Sequence, residues 1–240
     1  MFPAAMASPR DPTISRAVIA VCVALSAVFV ADAVTDFDIA RLLALWPVVL
    51  RASVGSLLDD PTNGPAWLGL ATVFTSTLVH ADVMHLGFNL AYFWLFGTLL
   101  SQVAGGRWVV ITLAWASLTA GLAFVVLEAG SAASYVIGAS GAITGVSGLY
   151  VLLAFRWEIP WAMAFPLARP VPPLHAALIG IAAVGMDLYA LRSGVSDGVA
   201  YASHVGGFAG GLLLGALLTT FYPTWDRFRA SWWGRGAHGP

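Results

Sequence analysis

The sequence predicts an all-α polytopic membrane protein, a bundle of six transmembrane helices with a long first loop. Three observations carry this. Apolar residues make up 59% of the 240 and charged residues only 10%, against roughly 25% charged in soluble domains. Mean hydropathy is +0.84. Several uncharged apolar runs approach the ~20 residues that cross a bilayer's hydrocarbon core. The net charge of −1 gives no case for a nucleic-acid partner, so the lipid bilayer is the expected surroundings. The single cysteine, Cys22, cannot form an internal disulfide.

Taken in order, residues 1–15 are a polar N-terminal segment, expected in the cytoplasm, and 16–222 form the membrane domain. The first apolar run follows Arg16 and ends at Ala31-Asp32-Ala33. It reads as a secretory signal peptide or as a retained span from Ile14 to about Val34, and the span is favoured. Thr35–Thr72 is the long connection. Its apolar piece Ile39–Leu50, broken by Pro47, is too short to span and reads as interfacial or re-entrant. Further spans are expected at about Val83–Val103, Trp108–Leu127, Ile137–Phe155, Leu174–Leu191 and Val199–Tyr222. Trp157–Pro173 reads as a connecting loop and 223–240 as a cytoplasmic tail. Trp94, Trp108, Trp225, Trp232 and Trp233 read as interface anchors.

A cytoplasmic N-terminus puts Arg10, Arg16, Arg107, Arg156, Arg169, Arg227, Arg229 and Arg235 inside, and only Arg41, Arg51 and Arg192 outside. The positive-inside rule selects this orientation. Spans two, four and six then all enter from the outer face. That places His80, His85 and Asn89 (span two), Ser140 (span four) and His204 (span six) at one depth, just below the outer surface.

Helical spacing brings them closer. His85 and Asn89, four apart, share a helix face. Ser140, Thr144 and Gly148 form a small-residue stripe on span four, and Gly207, Gly211 and Gly215 form one on span six, with His204 near the same face. Such faces let membrane helices approach closely, which would put the Ser140 hydroxyl within reach of the His204 imidazole. A serine hydroxyl becomes a nucleophile when a neighbouring base takes its proton, and histidine suits that role near neutral pH. No acidic residue is expected at the depth of His204, because Asp187 lies in span five; the expectation is a Ser-His dyad. The Ser140 amide and the His85 and Asn89 side chains are candidate oxyanion donors.

His80-x4-His85-x3-Asn89, Gly138-Ala139-Ser140-Gly141 and His204-Val205-Gly206-Gly207 together resemble the motifs of the rhomboid family of intramembrane serine proteases. Any one piece is weak; all three, in order on alternate spans, are specific. The resemblance covers roughly Leu70–Leu218 and implies a six-span rhomboid-like bundle. It implies Ser140 as nucleophile and His204 as general base. His85, Asn89 and the Ser140 amide would bind the oxyanion, with Gly138 in the same oxyanion and substrate-binding set. His80, Thr144 and Gly207 would be supporting residues, His80 at the mouth of the site. The implied substrate is a transmembrane helix of another membrane protein, and the implied chemistry needs no metal or cofactor. Arg192–Gly198 would cap the site and span five would gate it. Three departures stand out. Thr144 replaces an aromatic that often stacks on the catalytic histidine, Ala71 and Thr72 stand where many members carry Trp-Arg, and no seventh span is found.

Plainer readings compete. A lone membrane serine more often caps a helix, and Asn89 could be interhelical glue. His80 and His85 are five apart, which does not stack on a helix, so a metal site with His204 is a minor alternative. Asp32 and Asp187 have no assigned role, and snorkelling to the interface is the default expectation for both. At the level of function, the rivals are a catalytically silent rhomboid-like protein that binds membrane clients, and a small transporter or channel. The complete serine–histidine set argues against the first, and the scarcity of charged or broken-helix features at the midplane argues against the second.

Overall fold

The computed structural model describes residues 15–35, 38–127, 135–164 and 169–233. The N-terminal segment expected at 1–15 and the end of the tail therefore lie almost wholly outside the described residues. Among the described residues, five helices are long and apolar enough to cross a membrane: α1 (Arg16–Val34), α5 (Val83–Ala104), α6 (Gly106–Leu127), α8 (Pro173–Ser193) and α9 (Tyr201–Phe221). A sixth apolar helix, α7 (Ser140–Arg156), is shorter, at 17 residues, or about 25 Å. The chain is thus an all-α polytopic bundle, and the expected spans match these helices to within a few residues.

Helix α7 is the axis of the bundle. It is buried along almost its whole length, from Gly141 through Ala154, and packs against α5, α6, α8 and α9. Lipid is as apolar as a leucine side chain, so close backbone packing rather than hydrophobic burial must hold such helices together. Glycines supply it. A Cβ at Gly207 would run into the Gly141 carbonyl, one at Gly211 into the Gly145 carbonyl, and one at Gly148 into the Phe208 carbonyl. The face that α7 turns to α9 is therefore built from Gly141, Thr144, Gly145 and Gly148, half a step round from the expected Ser140-Thr144-Gly148 stripe. A second glycine face on α9, Gly206 and Gly210, meets Thr119 and Ala123 of α6.

The first connection is more ordered than the sequence suggested. Asp32 is fully buried, and its Oδ1 accepts the Ala40 N–H at 2.8 Å, fastening α1 to α2 (Asp38–Leu43). Pro47 starts α3 (Pro47–Asp59), since proline fits the first helical turn, where no N–H is required. Between α2 and α3, Leu45 exchanges two backbone hydrogen bonds with Val136, at 3.1 and 3.0 Å. This pins the loop to the segment leading into α7. Helix α4 (Gly64–Thr75), unforeseen, begins with Asn63 accepting the Ala66 N–H at 3.2 Å and Pro65 in its first turn.

At the opposite end, the expected loop after α7 contains a short hairpin, β1 (Ala162–Ala164) and β2 (Arg169–Val171). Gln102 holds it with two hydrogen bonds to the Met163 backbone, at 3.0 and 2.9 Å. Helix α10 (Trp225–Trp233) then closes the base: Phe228 is fully buried against Trp108, Trp157 and Tyr222. Trp108, 8% exposed, is core and not the interface anchor expected. Trp225 is partly buried, with its indole N–H on the Val103 carbonyl at 3.2 Å. The side chains of Trp232 and Trp233 lie outside the described residues.

Candidate active site

Helix α7 begins at Ser140, after Ala139 in the cap position, and no side chain caps it there. The Ser140 hydroxyl turns instead to α9: Oγ lies 2.8 Å from His204 Nε2. Serine and histidine come together because Gly207, one turn beyond His204, lets the two backbones touch. Thr144 adds a polar fastening, its hydroxyl pointing at the Gly141 and His204 carbonyls at 2.8 and 3.0 Å. Thr144 therefore holds the backbone that carries the imidazole, not the ring itself.

The ring is held from its other side. Asp187 Oδ2, on α8, stands 3.2 Å from His204 Nδ1, and the two side chains are 17% and 15% exposed. This corrects the expectation that no carboxylate shares the depth of His204. Helix α8 runs opposite to α9, so depth on it counts back from Ser193. Asp187 lies six residues, or about 9 Å, from that end, and His204 three residues from the start of α9 at Tyr201. Asp187 does not snorkel to the interface. The Tyr201 ring makes an edge contact with the imidazole at 6.3 Å between centroids.

The approach to Ser140 is built by His80, His85 and Gly138. Asp82 caps α5, its Oδ1 accepting the His85 N–H at 2.8 Å, which fixes where that helix starts. His85 Nδ1 faces the Ala81 N–H at 3.5 Å, so the ring's proton belongs on Nε2. That edge points at Gly138: a Cβ there would sit 2.6 Å from Nε2. Gly138 also has φ +112°, so both its backbone and its surroundings call for glycine. Its N–H donates to the Ser76 carbonyl at 2.9 Å. His80 is fully buried and lies edge-on to His85 at 5.1 Å, and its Nε2 accepts the Ala139 N–H at 3.4 Å. Burial, reinforced by the neighbouring His85, lowers its pKa to about 4, keeping it a neutral acceptor beneath the residue before Ser140.

Asn89 is 5% exposed, and its Nδ2 donates to the His85 carbonyl at 2.8 Å. Its Oδ1 is buried without a hydrogen-bond partner among the described residues. One Nδ2 hydrogen remains for a ligand, and the other ties Asn89 into its own helix. Between α8 and α9, the Arg192–Gly198 loop has glycines with positive φ at 194 and 198. Asp197 accepts the Tyr201 hydroxyl at 2.7 Å and the Val199 N–H at 3.2 Å. The first bond, then the second, holds its carboxyl below the usual range. A groove of about 610 Å³ between α8 and the start of α9 is lined by Ala182, Gly185, Met186, Asp187 and Tyr201, among others.

The structure thus brings together Ser140, His204, Thr144 and Gly207 in one contact set, and His80, His85 and Gly138 in an adjoining one. It adds Asp187, Tyr201, Asp82 and Ser76, which the motifs did not contain. Only Asp187 had a sequence signal, as an ionisable residue inside a span.

The chain is similar to known proteins. Rhomboid-like protein 11, chloroplastic, from Arabidopsis thaliana is 27% identical over 165 residues, covering 66% of this chain and 55% of that protein. Rhomboid protein 1, mitochondrial, from Saccharomyces cerevisiae is 32% identical over 149 residues, 60% of this chain and 40% of that protein. The chain therefore spans about half or less of the length of these relatives. The Rhomboid domain matches residues 68–221, from α4 to the end of α9, and on that match the chain belongs to the rhomboid family.

Proposed function

We propose that this protein is an intramembrane serine endopeptidase that hydrolyses a peptide bond in a transmembrane segment of another membrane protein. The observation that supports this most is the 2.8 Å approach of Ser140 Oγ to His204 Nε2, with the serine released from helix capping. In the reading, Ser140 Oγ attacks the scissile carbonyl carbon while its proton passes to His204 Nε2. The tetrahedral oxyanion is met by the Ser140 amide at the N-terminus of α7, by the Nε2–H of His85 and by the free Nδ2 hydrogen of Asn89. Collapse expels the amine, which takes the proton from His204, and leaves an acyl-enzyme on Ser140. Water, activated by the same imidazole, then releases the acid.

Residues 16–222 act as the membrane domain, with α1 retained: Val18 and Leu25 are buried in the bundle and Asp32 anchors the first connection. The arginine distribution supports both termini in the cytoplasm, and with it an even number of spans; the membrane we assign is a bacterial inner membrane. Labelling of the purified protein with a fluorophosphonate tests the activated serine. Wild type should label, and Ser140→Ala and His204→Ala should not. A folded wild type that takes no label would favour a silent, client-binding relative.

A further inference from the structure

We propose that Asp187 is a positioning residue for His204, making the reacting group a Ser140–His204–Asp187 relay in place of a dyad. The inference rests on the protease reading for its kinetic consequence, but not for its geometry. For Nε2 to accept the Ser140 proton, the neutral imidazole must carry its own proton on Nδ1. An imidazole left to itself divides its proton between the two nitrogens and can turn about its bonds. Asp187 Oδ2, 3.2 Å from Nδ1, accepts that Nδ1–H. It thereby selects the tautomer and fixes the ring plane that Nε2 needs to reach Ser140 at 2.8 Å.

The charge balance is complete within the chain. When Ser140 gives up its proton, His204 becomes an imidazolium carrying one proton on each nitrogen. The Asp187 carboxylate stays ionised and offsets the new positive charge, and no proton moves to it. His85 is a second imidazole and offers no such compensation; Tyr201 offers only a ring edge.

Two further observations favour this role over a structural one. An ionisable side chain within a span is costly unless paired, and Asp187 has its partner in the imidazole. It also lines the groove with Ala182 and Gly185, and asparagine keeps the size and shape of the aspartate side chain. The substitution Asp187→Asn should therefore leave the fold intact. Threonine at position 144 fits the same picture: with no aromatic there to hold the ring, the carboxylate on α8 does so. The Tyr201 hydroxyl, bound to Asp197, ties the Arg192–Gly198 loop to the helix turn that carries His204.

The test combines kinetics with a measurement that needs no turnover. Nitrogen-15 NMR of histidine-labelled protein reports which ring nitrogen carries the proton, and the protein's five histidines allow assignment by comparison with His204→Ala. Wild-type His204 should be protonated on Nδ1 with a downfield proton resonance, and Asp187→Asn should abolish that resonance. In cleavage of a transmembrane substrate, Asp187→Asn should lower kcat at least about a hundredfold, toward the ~10⁴-fold lost by a soluble triad without its aspartate, with KM within twofold. Asp187→Glu should recover at least tenfold of the loss. His204 protonated on Nε2 in wild type, or Asp187→Asn with kcat within threefold of wild type, overturns the proposal. If wild type neither cleaves nor labels, the protease reading fails, and the NMR result still decides whether Asp187 orients His204.

Discussion

The substitution Gly207→Ala tests how the site is held together. A Cβ at 207 would fall well inside contact distance of the Gly141 carbonyl oxygen and 2.9 Å from Thr144 Oγ1. The first neighbour is backbone and cannot swing away, so α7 and α9 must part by about 1 Å or more, at an overpacking cost of about 1–3 kcal/mol. Ser140 lies on one of these helices and His204 on the other. Their 2.8 Å contact would open toward 4 Å, beyond hydrogen-bond reach, while the Thr144 fastening is pushed off the His204 carbonyl. A misplacement of this size costs roughly 10²-fold in rate. The assay is the rate of fluorophosphonate labelling beside thermal unfolding in detergent. Gly55→Ala is the control, because a Cβ on α3 at that position meets nothing within 4 Å. Gly207→Ala labelling at the wild-type rate with an unchanged melting temperature would refute the claim that glycine contact sets the Ser140–His204 distance.

Three other outcomes follow from neighbouring residues. His80 has its pKa lowered to about 4 from an ordinary value near 6.5. The unfolded chain therefore takes up its proton first as pH falls; the stabilisation is intact above pH 6.5 and is lost progressively down to pH 4. The loss amounts to roughly 3 kcal/mol, readable as a drop in unfolding midpoint between those pH values that disappears in His80→Asn. Gly138→Ala, with φ +112° and the His85 ring in the way, should cost about 1–3 kcal/mol and slow labelling; full activity would show that His85 need not stay where it is. Asp32→Ala removes the acceptor of the Ala40 N–H and should lower stability by about 1–2 kcal/mol without changing the labelling rate per folded molecule, as chemical denaturation would report.

The spans and the motif residues were readable because each depends on a local pattern. Hydropathy sets the spans, and a four-residue interval sets the shared face of His85 and Asn89. The Ser140–His204 meeting was readable because both residues lie near the N-terminal ends of helices that run the same way. Asp187 was missed for the matching reason. It sits on a helix running the other way, where depth must be counted from the C-terminal end. The face α7 turns to α9 keeps Thr144 and Gly148 of the expected stripe but takes Gly141 and Gly145 in place of Ser140, because a small-residue stripe is broad and only the partner helix decides which edge of it is used. Helix α4 had its start written in Asn63 and Pro65, but its few turns sat inside a loop that composition alone marked as irregular. The β1–β2 hairpin has strands of three residues, too short for any alternation to register.

Mapping of newly formed peptide termini tests the central claim most directly. A pool of single-span membrane proteins in liposomes is treated with wild-type protein or Ser140→Ala, and the products are sequenced by mass spectrometry. The account predicts termini within transmembrane segments, toward one membrane face, produced by wild type and absent with Ser140→Ala. Identical fragment sets from the two proteins, with Ser140 shown to be labelled by fluorophosphonate in the wild type, would contradict it.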